Sequence, residues 1–70
     1  MSIDAAIVDL WREFLGSEAN LNSSFIANGG DSLKAVLLTI KLLEATRVEV
    51  DYLTVLQAQS AEDLRTRVTA

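Results

Sequence analysis

The sequence contains no proline at any of its 70 positions, and this absence is the strongest constraint on its fold. Proline interrupts helices because it lacks a backbone N–H and its ring clashes with the preceding turn. Half of the residues are apolar, so uninterrupted helices can bury a hydrophobic core. A chain of this length forms one domain and buries little surface. We therefore expect a single all-α domain over residues 1–70, of marginal stability.

The residue types that are missing exclude most catalytic and metal-binding functions. With no cysteine and no histidine, the chain lacks thiolate ligands, the commonest zinc ligand and the usual general base, so we expect a non-catalytic protein without a metal site. A net charge of −4, with six scattered Lys and Arg, opposes nucleic-acid binding. No apolar stretch approaches the roughly 20 residues of a membrane span, and no signal peptide is visible. We expect a cytoplasmic monomer.

The first helix is predicted over about residues 2–15. Its apolar residues recur at steps of three and four, the spacing of one helix face: Ile3, Ile7, Leu10, Trp11 and Phe14. Ser2 is placed to cap this helix, and Gly16 to end it in a left-handed conformation. A long loop follows from Gly16 to Asp31, rich in Asn, Ser and Gly. We expect its apolar residues to anchor it to the core: Leu21, Phe25 and Ile26.

The predicted second helix, from Ser32 to about Thr46, carries apolar residues on two sides. The first stripe, which we expect to face the core, comprises Ala35, Leu38, Leu42 and Ala45. The second stripe comprises Leu33, Val36, Leu37, Ile40 and Leu43. A bundle this small covers one face of a helix well, so the second stripe is predicted to remain exposed and to bind partner proteins. The alternative is a central helix surrounded by the others.

The last third of the chain predicts a short helix and a final longer one. Val48, Glu49 and Val50 read as a connector, and Asp51 can cap a short helix that runs through about Gln57. Ser60 and Asp63 form a capping-box pattern that opens the last helix. Its buried edge is expected at Leu64 and Val68. The predicted architecture is three principal helices plus one short helix, joined by a long first loop.

The segment Asn28-Gly29-Gly30-Asp31-Ser32-Leu33, at the junction of the loop and the second helix, carries the chemistry. Its two glycines permit backbone conformations that are closed to other residues. Ser32 stands at a helix N-terminus, where free N–H groups and the positive end of the dipole favour a phosphate. The residues alone leave two interpretations open, a phosphoester on Ser32 or a simple helix cap at Asp31 or Ser32.

Gly29-Gly30-Asp31-Ser32-Leu33 resembles the phosphopantetheine attachment motif of carrier domains from nonribosomal peptide synthetases. The resemblance extends over nearly the whole chain, to Leu10-Trp11, Phe14-Leu15-Gly16, Phe25 and residues 60–68. It implies a small right-handed four-helix carrier bundle in which a magnesium-dependent phosphopantetheinyl transferase attaches 4′-phosphopantetheine from coenzyme A to Ser32. Gly30, Asp31 and Leu33 would complete the attachment site, and the thiol of the arm would hold an acyl or aminoacyl group as a thioester.

The resemblance also implies partner enzymes: an adenylation or acyl-loading enzyme, and condensation, tailoring or release enzymes. We expect these partners to contact Leu33, Val36, Leu37 and Ile40. The second helix has two lysines and one glutamate, unlike the acidic helix of fatty-acid carriers, and this favours the peptide-synthetase type. The chain departs from the family pattern in three respects: Asn22 and Ser23 replace a frequent Asp, Asn28 replaces a hydrophobic residue, and Thr46-Arg47 replaces Phe-Gly.

Two other functions compete with the carrier interpretation. Gly30-Asp31-Ser32-Leu33 also matches the short signature of a family of serine esterases, but the chain has no histidine to activate the serine. A plain helical interaction domain, with Ser32 as a cap, explains everything except the concurrence of motif, helix order and length.

Met1 directly before the first helix fits both a free-standing protein and a module of a longer one.

Overall fold

Four α-helices provide the regular structure of residues 2–69, which the computed structural model describes. They are α1 (Ile3–Leu15), α2 (Ser32–Thr46), α3 (Tyr52–Leu56) and α4 (Ala61–Thr69). The predicted all-α class, with three longer helices and one short one, is confirmed, while the right-handed sense of the bundle stays a prediction. The predicted extent of 1–70 includes Met1 and Ala70, which lie outside the described residues.

The helices begin where capping side chains stand in the sequence. Ser2 and Asp51 each accept a backbone N–H from the first turn of α1 and α3, at 3.2 and 2.9 Å. At α4 the Ser60 hydroxyl accepts the N–H of Asp63 at 2.9 Å, as a capping box requires. The return bond differs from the predicted box, because the Asp63 carboxylate accepts the N–H of Gln59 at 2.8 Å. This carboxylate therefore ties the connection after α3 to the start of α4.

Two residues with positive φ end the longer helices α1 and α2. Gly16 has φ 110° and ψ 150°, so its positive φ is as predicted, but its ψ lies outside the left-handed helical region. Arg47 ends α2 with φ 63° and ψ 18°, and its N–H donates to the Leu43 carbonyl at 2.8 Å. Arg47 is therefore truly left-handed, in a conformation that costs an L-residue about 1–2 kcal/mol.

The core forms around an aromatic pair, Trp11 of α1 and Phe25 of the long loop. Their ring centroids lie 5.6 Å apart at an interplanar angle of 71°, an edge-to-face arrangement. The first stripe of α2 packs here through Ala35, Leu38 and Leu42, which are fully buried as predicted. Ala45 is exposed, so its predicted place in the core was wrong. It lies at the edge of the stripe in the last turn of α2, where it lines an open groove between α1 and α2.

The long loop is anchored to the helices by its apolar residues, with one exception. Phe25 is fully buried, and its N–H donates to the Ala58 carbonyl at 3.0 Å. Leu21 is half-buried, and its carbonyl accepts the N–H of Ala61 at 2.9 Å. Ile26 is 61% exposed, so the prediction that it anchors the loop was wrong. Phe25 and Ile26 are neighbours at the start of a tight turn, and with Phe25 turned into the core Ile26 is left facing solvent.

The remaining predicted core residues follow the sequence pattern. Ile7, Leu10 and Trp11 of α1 are buried, and Leu64 of α4 is fully buried. Val68, at the other end of the predicted buried edge of α4, is partly buried against this core. No helix within residues 2–69 is long and apolar enough to cross a membrane.

Candidate functional site

At the N-terminus of α2, Asp31 and Ser32 have different roles, which the sequence alone did not distinguish. Asp31 is extended, with φ −138° and ψ −178°, and its carboxylate accepts the backbone N–H of Lys34 at 2.9 Å. The Asp31 carbonyl accepts the N–H of Ala35 at 2.9 Å, which starts the helical ladder. Asp31 is therefore the helix cap, and Ser32, the first helical residue, is not needed for capping.

The side chain of Ser32 is exposed at this helix end. Within residues 2–69 its hydroxyl makes no hydrogen bond to another protein group. The backbone N–H groups of Ser32 and Leu33 also find no acceptor in this part of the chain, as is usual in the first turn of a helix. An exposed hydroxyl thus lies beside two free N–H donors and the positive end of the helix dipole, an environment that suits a phosphate group.

Lys34 adds positive charge to the same end of α2. Its ammonium group donates to the Gly29 carbonyl at 3.3 Å, which holds it against the loop that precedes Ser32. This contact between Lys34 and Gly29 depends on the fold of the loop and was not predicted from the sequence. A phosphodiester on Ser32 would therefore stand at a helix end with two free N–H groups and with one ammonium group bonded to the preceding loop, and the residues present fit such a group.

The two glycines ahead of Ser32 are required for different reasons. Gly29 has φ 88°, a conformation that L side chains rarely adopt, with open space where a Cβ would stand. Gly30 has no positive φ, but a Cβ there would lie 2.3 Å from Cδ2 of Phe25 and 2.7 Å from the Phe25 carbonyl oxygen. That carbonyl also accepts the Gly30 N–H at 2.9 Å. The predicted conformational role of glycine thus holds for Gly29, whereas close packing explains Gly30.

Asn28 organises the loop through four hydrogen bonds of its side chain, which we call the Asn28 clamp. Its Oδ1 accepts the N–H of Asn20 at 2.9 Å, and its Nδ2 lies 2.9 Å from the Asn20 carbonyl oxygen. The same Nδ2 approaches the carbonyl oxygens of Ser24 at 3.0 Å and Ser23 at 3.3 Å. This role of Asn28 was not predicted from the sequence. The available signal was that Asn28 stands where the carrier family often has a hydrophobic residue.

The second stripe of α2 is exposed over its whole length, which excludes the alternative of a central, surrounded helix. Leu33 is 66% exposed. The other members of the stripe are also exposed, but less so: Val36, Leu37, Ile40 and Leu43. Tyr52 and Leu53 of the short helix α3 are also exposed. Large apolar groups are therefore concentrated at the surface of the helix that begins with Ser32. Their use as a partner-binding surface stays a prediction at this point.

The titrating groups with perturbed pKa values belong to α4 and not to this site. A hydrogen bond from Arg65 lowers the pKa of the Glu62 carboxyl, and the same pair raises the pKa of Arg65. The Gln59 N–H, followed by Arg67, lowers the pKa of Asp63. These exposed pairs support the first turns of α4. No group of three or more His, Cys, Asp and Glu among residues 2–69 could hold a metal ion.

Comparison with known proteins agrees with this geometry. Residues 5–68 match the family model described as the phosphopantetheine attachment site. The chain has no significant match among curated proteins or solved structures. The match covers nearly the entire chain, including the loop, the capped N-terminus of α2 and the closing helix. The chain therefore belongs to the phosphopantetheine attachment-site family, whose members are non-catalytic carrier proteins that bear a 4′-phosphopantetheine prosthetic group and are modified by phosphopantetheinyl transferases.

Proposed function

We propose that residues 1–70 form a single peptidyl or acyl carrier domain in which the Ser32 hydroxyl is the attachment point of 4′-phosphopantetheine. The observation that carries the proposal is that Asp31 and Ser32 have different roles at the start of α2. Because Asp31 caps the helix, Ser32 presents an exposed hydroxyl, without a hydrogen-bond partner in residues 2–69, at the helix N-terminus. A serine that served only as a cap would have its oxygen on a backbone N–H.

The residues around Ser32 would hold the attached phosphate and leave the rest of the arm free. The N–H groups of Ser32 and Leu33 and the Lys34 ammonium supply donors and positive charge. Gly30 and Asp31 complete the site by letting the backbone pass close to Phe25 and by capping α2. The arm supplies a thiol that holds an acyl or aminoacyl group as a thioester.

We further propose that the domain serves nonribosomal peptide synthesis or a related pathway. The exposed face of α2 is apolar and carries Lys34 and Lys41 against one acid, Glu44, so its partners would recognise shape and apolar surface more than acidic charge. Docking is assigned to Leu33, Val36, Leu37 and Ile40. The proposed partners are an adenylation or acyl-loading enzyme and condensation, tailoring or release enzymes. A cytoplasmic location and a monomeric state stay predictions.

Intact-mass measurement tests the attachment site directly. The purified protein is incubated with coenzyme A, magnesium and a promiscuous phosphopantetheinyl transferase, together with the variants Ser32→Ala and Ser17→Ala. Ser17 is a matched control because its side chain is also exposed and makes no hydrogen bond within residues 2–69. The parent and the control should gain one phosphopantetheinyl group, and Ser32→Ala should gain none while remaining folded. A parent that gains no mass would favour a plain helical interaction domain.

A second experiment tests the docking surface. Val36→Asp and Ile40→Asp should leave the melting temperature nearly unchanged, because both side chains are exposed. Each should slow modification or loading at least about tenfold, which corresponds to about 1.4 kcal/mol of transition-state stabilisation. Leu53→Asp, an equivalent change at an exposed residue of α3, is the control. Folded variants with parental rates towards every partner would remove the docking role from this stripe.

A further inference from the structure

We propose that Asn28 is a positioning residue, whose side chain fixes the loop ahead of Ser32 in the place from which that serine is modified. The inference rests on the carrier function proposed above and adds to it a residue outside the attachment motif. It follows from the Asn28 clamp, from the link between this clamp and the core, and from the short glycine-rich segment that separates the clamp from Ser32.

The clamp joins the two ends of the loop segment 20–28. Asn28 pairs with the N–H and the carbonyl of Asn20, eight residues earlier, at 2.9 Å each. On its own side of the loop it contacts the carbonyls of Ser23 and Ser24, and its backbone N–H donates to Ser24 at 3.1 Å. A hydrophobic side chain could replace none of these bonds, since it has neither donor nor acceptor. Residues 20–28 thus form a closed unit in which this one side-chain amide supplies both bonds between the two ends.

The clamp is connected to the core through a shared acceptor. The Asn20 carbonyl that accepts from Asn28 also accepts the indole N–H of Trp11, at 3.3 Å. Trp11 is fully buried on α1 and packs against Phe25. The position of Asn28 is therefore tied to the buried core, and a movement of the clamp should change the environment of the Trp11 indole N–H.

The segment between the clamp and Ser32 consists of Gly29, Gly30 and Asp31. Within this segment the N–H groups of Gly29 and Gly30 donate to the carbonyls of Ile26 and Phe25, both at 2.9 Å, so the path of the two glycines is set by the buried Phe25 together with the two ends of the segment. One end is the cap formed by Asp31 on α2, and the other is the clamp at Asn28. Loss of the clamp would leave the body of α2, its apolar stripe and the Phe25 anchor in place, but it would loosen the segment that leads from residue 26 into Ser32.

This arrangement predicts a specific kinetic signature for modification by the transferase. Because the docking surface on α2 is unchanged, Asn28→Leu should leave the KM for the carrier near the parental value. The kcat should fall about tenfold, because a loosened segment directly ahead of Ser32 no longer holds its hydroxyl in one orientation after docking. If Asn28 had only a structural role, the opposite result would be expected. A smaller folded fraction of the carrier would raise the apparent KM and leave kcat unchanged.

The experiment compares Asn28→Leu with Asn22→Leu, well below the melting temperature of either variant. Asn22 lies in the same loop and is exposed, and its side chain makes no hydrogen bond within residues 2–69. The chain has one tryptophan, so its single indole N–H resonance reports on the shared acceptor without assignment work. This resonance should shift in Asn28→Leu and not in Asn22→Leu. Asn28→Asp, which keeps the side-chain shape and loses the donors, replaces Asn28→Leu if the latter does not fold.

Each outcome decides between the interpretations. A lower kcat with an unchanged KM, confined to the Asn28 variants, supports the positioning role. A parental kcat, or a raised KM alone, overturns it while leaving the carrier function intact. If the parent is not modified, or if Ser32→Ala is modified, the proposed site fails and the positioning role fails with it.

Discussion

Gly30→Ala is the most informative single substitution in this protein, because its effect follows from the close approach of residue 30 to Phe25. A Cβ at residue 30 would stand 2.3 and 2.4 Å from two ring carbons of Phe25 and 2.7 Å from its carbonyl oxygen. The ring cannot simply rotate away, since it is fully buried and packs edge-to-face on Trp11. The carbonyl is backbone and already accepts the Gly30 N–H. The substitution must therefore displace the loop from the core.

The expected loss of stability combines three contributions. Overpacking a filled core costs about 1–3 kcal/mol, and weakening the aromatic pair of Trp11 and Phe25 adds about 0.5–1.5 kcal/mol. The reduced entropy of the unfolded chain returns about 0.4–1 kcal/mol. We expect a net loss of about 2 kcal/mol, which lowers the melting temperature of a domain of this size by about 10 °C.

Urea denaturation followed by the fluorescence of Trp11 measures this loss. Gly29→Ala is the matched control, because a Cβ there meets no atom within 4 Å and the cost of about 1 kcal/mol comes from its positive φ alone. Phe25→Leu shortens the side chain that Gly30 approaches, so it should relieve part of the penalty of Gly30→Ala and none of that of Gly29→Ala. The coupling energy expected for the first pair is at least about 1 kcal/mol.

Two results would refute the steric explanation. Gly30→Ala could prove as stable as the parent, which would mean that the loop moves away from Phe25 without cost. Alternatively, Gly30→Ala and Phe25→Leu could destabilise additively, which would place the cause of the loss elsewhere in the loop. Either result would also weaken the inference that this loop has a defined position relative to the core.

Three further predictions concern the helices. Leu42→Ala should cost about 2–5 kcal/mol in urea denaturation, since Leu42 is fully buried; parental stability would contradict the assignment of the core stripe. Arg47→Gly should stabilise the protein by about 0.5 kcal/mol in the same assay, because glycine removes the left-handed strain at φ 63° at a smaller entropic cost. A loss of stability would show that the Arg47 side chain itself contributes to stability. Hydrogen bonds from the Gln59 N–H and, to a smaller extent, from Arg67 hold the pKa of Asp63 below its ordinary value. The stability that this carboxylate contributes is therefore fully present at pH values above the ordinary pKa of aspartate. It is lost as the pH falls through the lower pKa of the folded state. Acid-induced unfolding should therefore be less steep in Asp63→Asn than in the parent, and equal profiles would argue against this contribution.

Local interactions explain why much of the fold could be predicted from the sequence. The bounds of α2 agree with the prediction, and Asp51 and Ser60 cap the helices that were expected after them. A cap acts within three residues and an apolar stripe repeats every three or four, so both patterns are complete in a short window. The attachment motif is equally local, which is why Ser32 could be singled out before any tertiary contact was known.

The misplaced residues show where local patterns end. Phe25 and Ile26 are adjacent and similarly apolar, but the bond from the Phe25 N–H to Ala58 and the contact with Trp11 select Phe25 for the core. Ala45 follows the spacing of the core stripe and is nevertheless exposed in the last turn of α2. In each case the deciding partner lies on another helix or beyond the turn.

The sequence by itself determined the helical class, the order of the helices, their caps and the serine at the start of α2, because each depends on neighbours along the chain. The tertiary structure alone decided that Gly30 is required by the ring of Phe25, and that the amide of Asn28 closes the loop onto Asn20. Both features depend on how the loop folds against the core, where Trp11 and Ala58 hold Phe25. Such contacts are set by packing between segments that are distant along the chain, which no local pattern encodes.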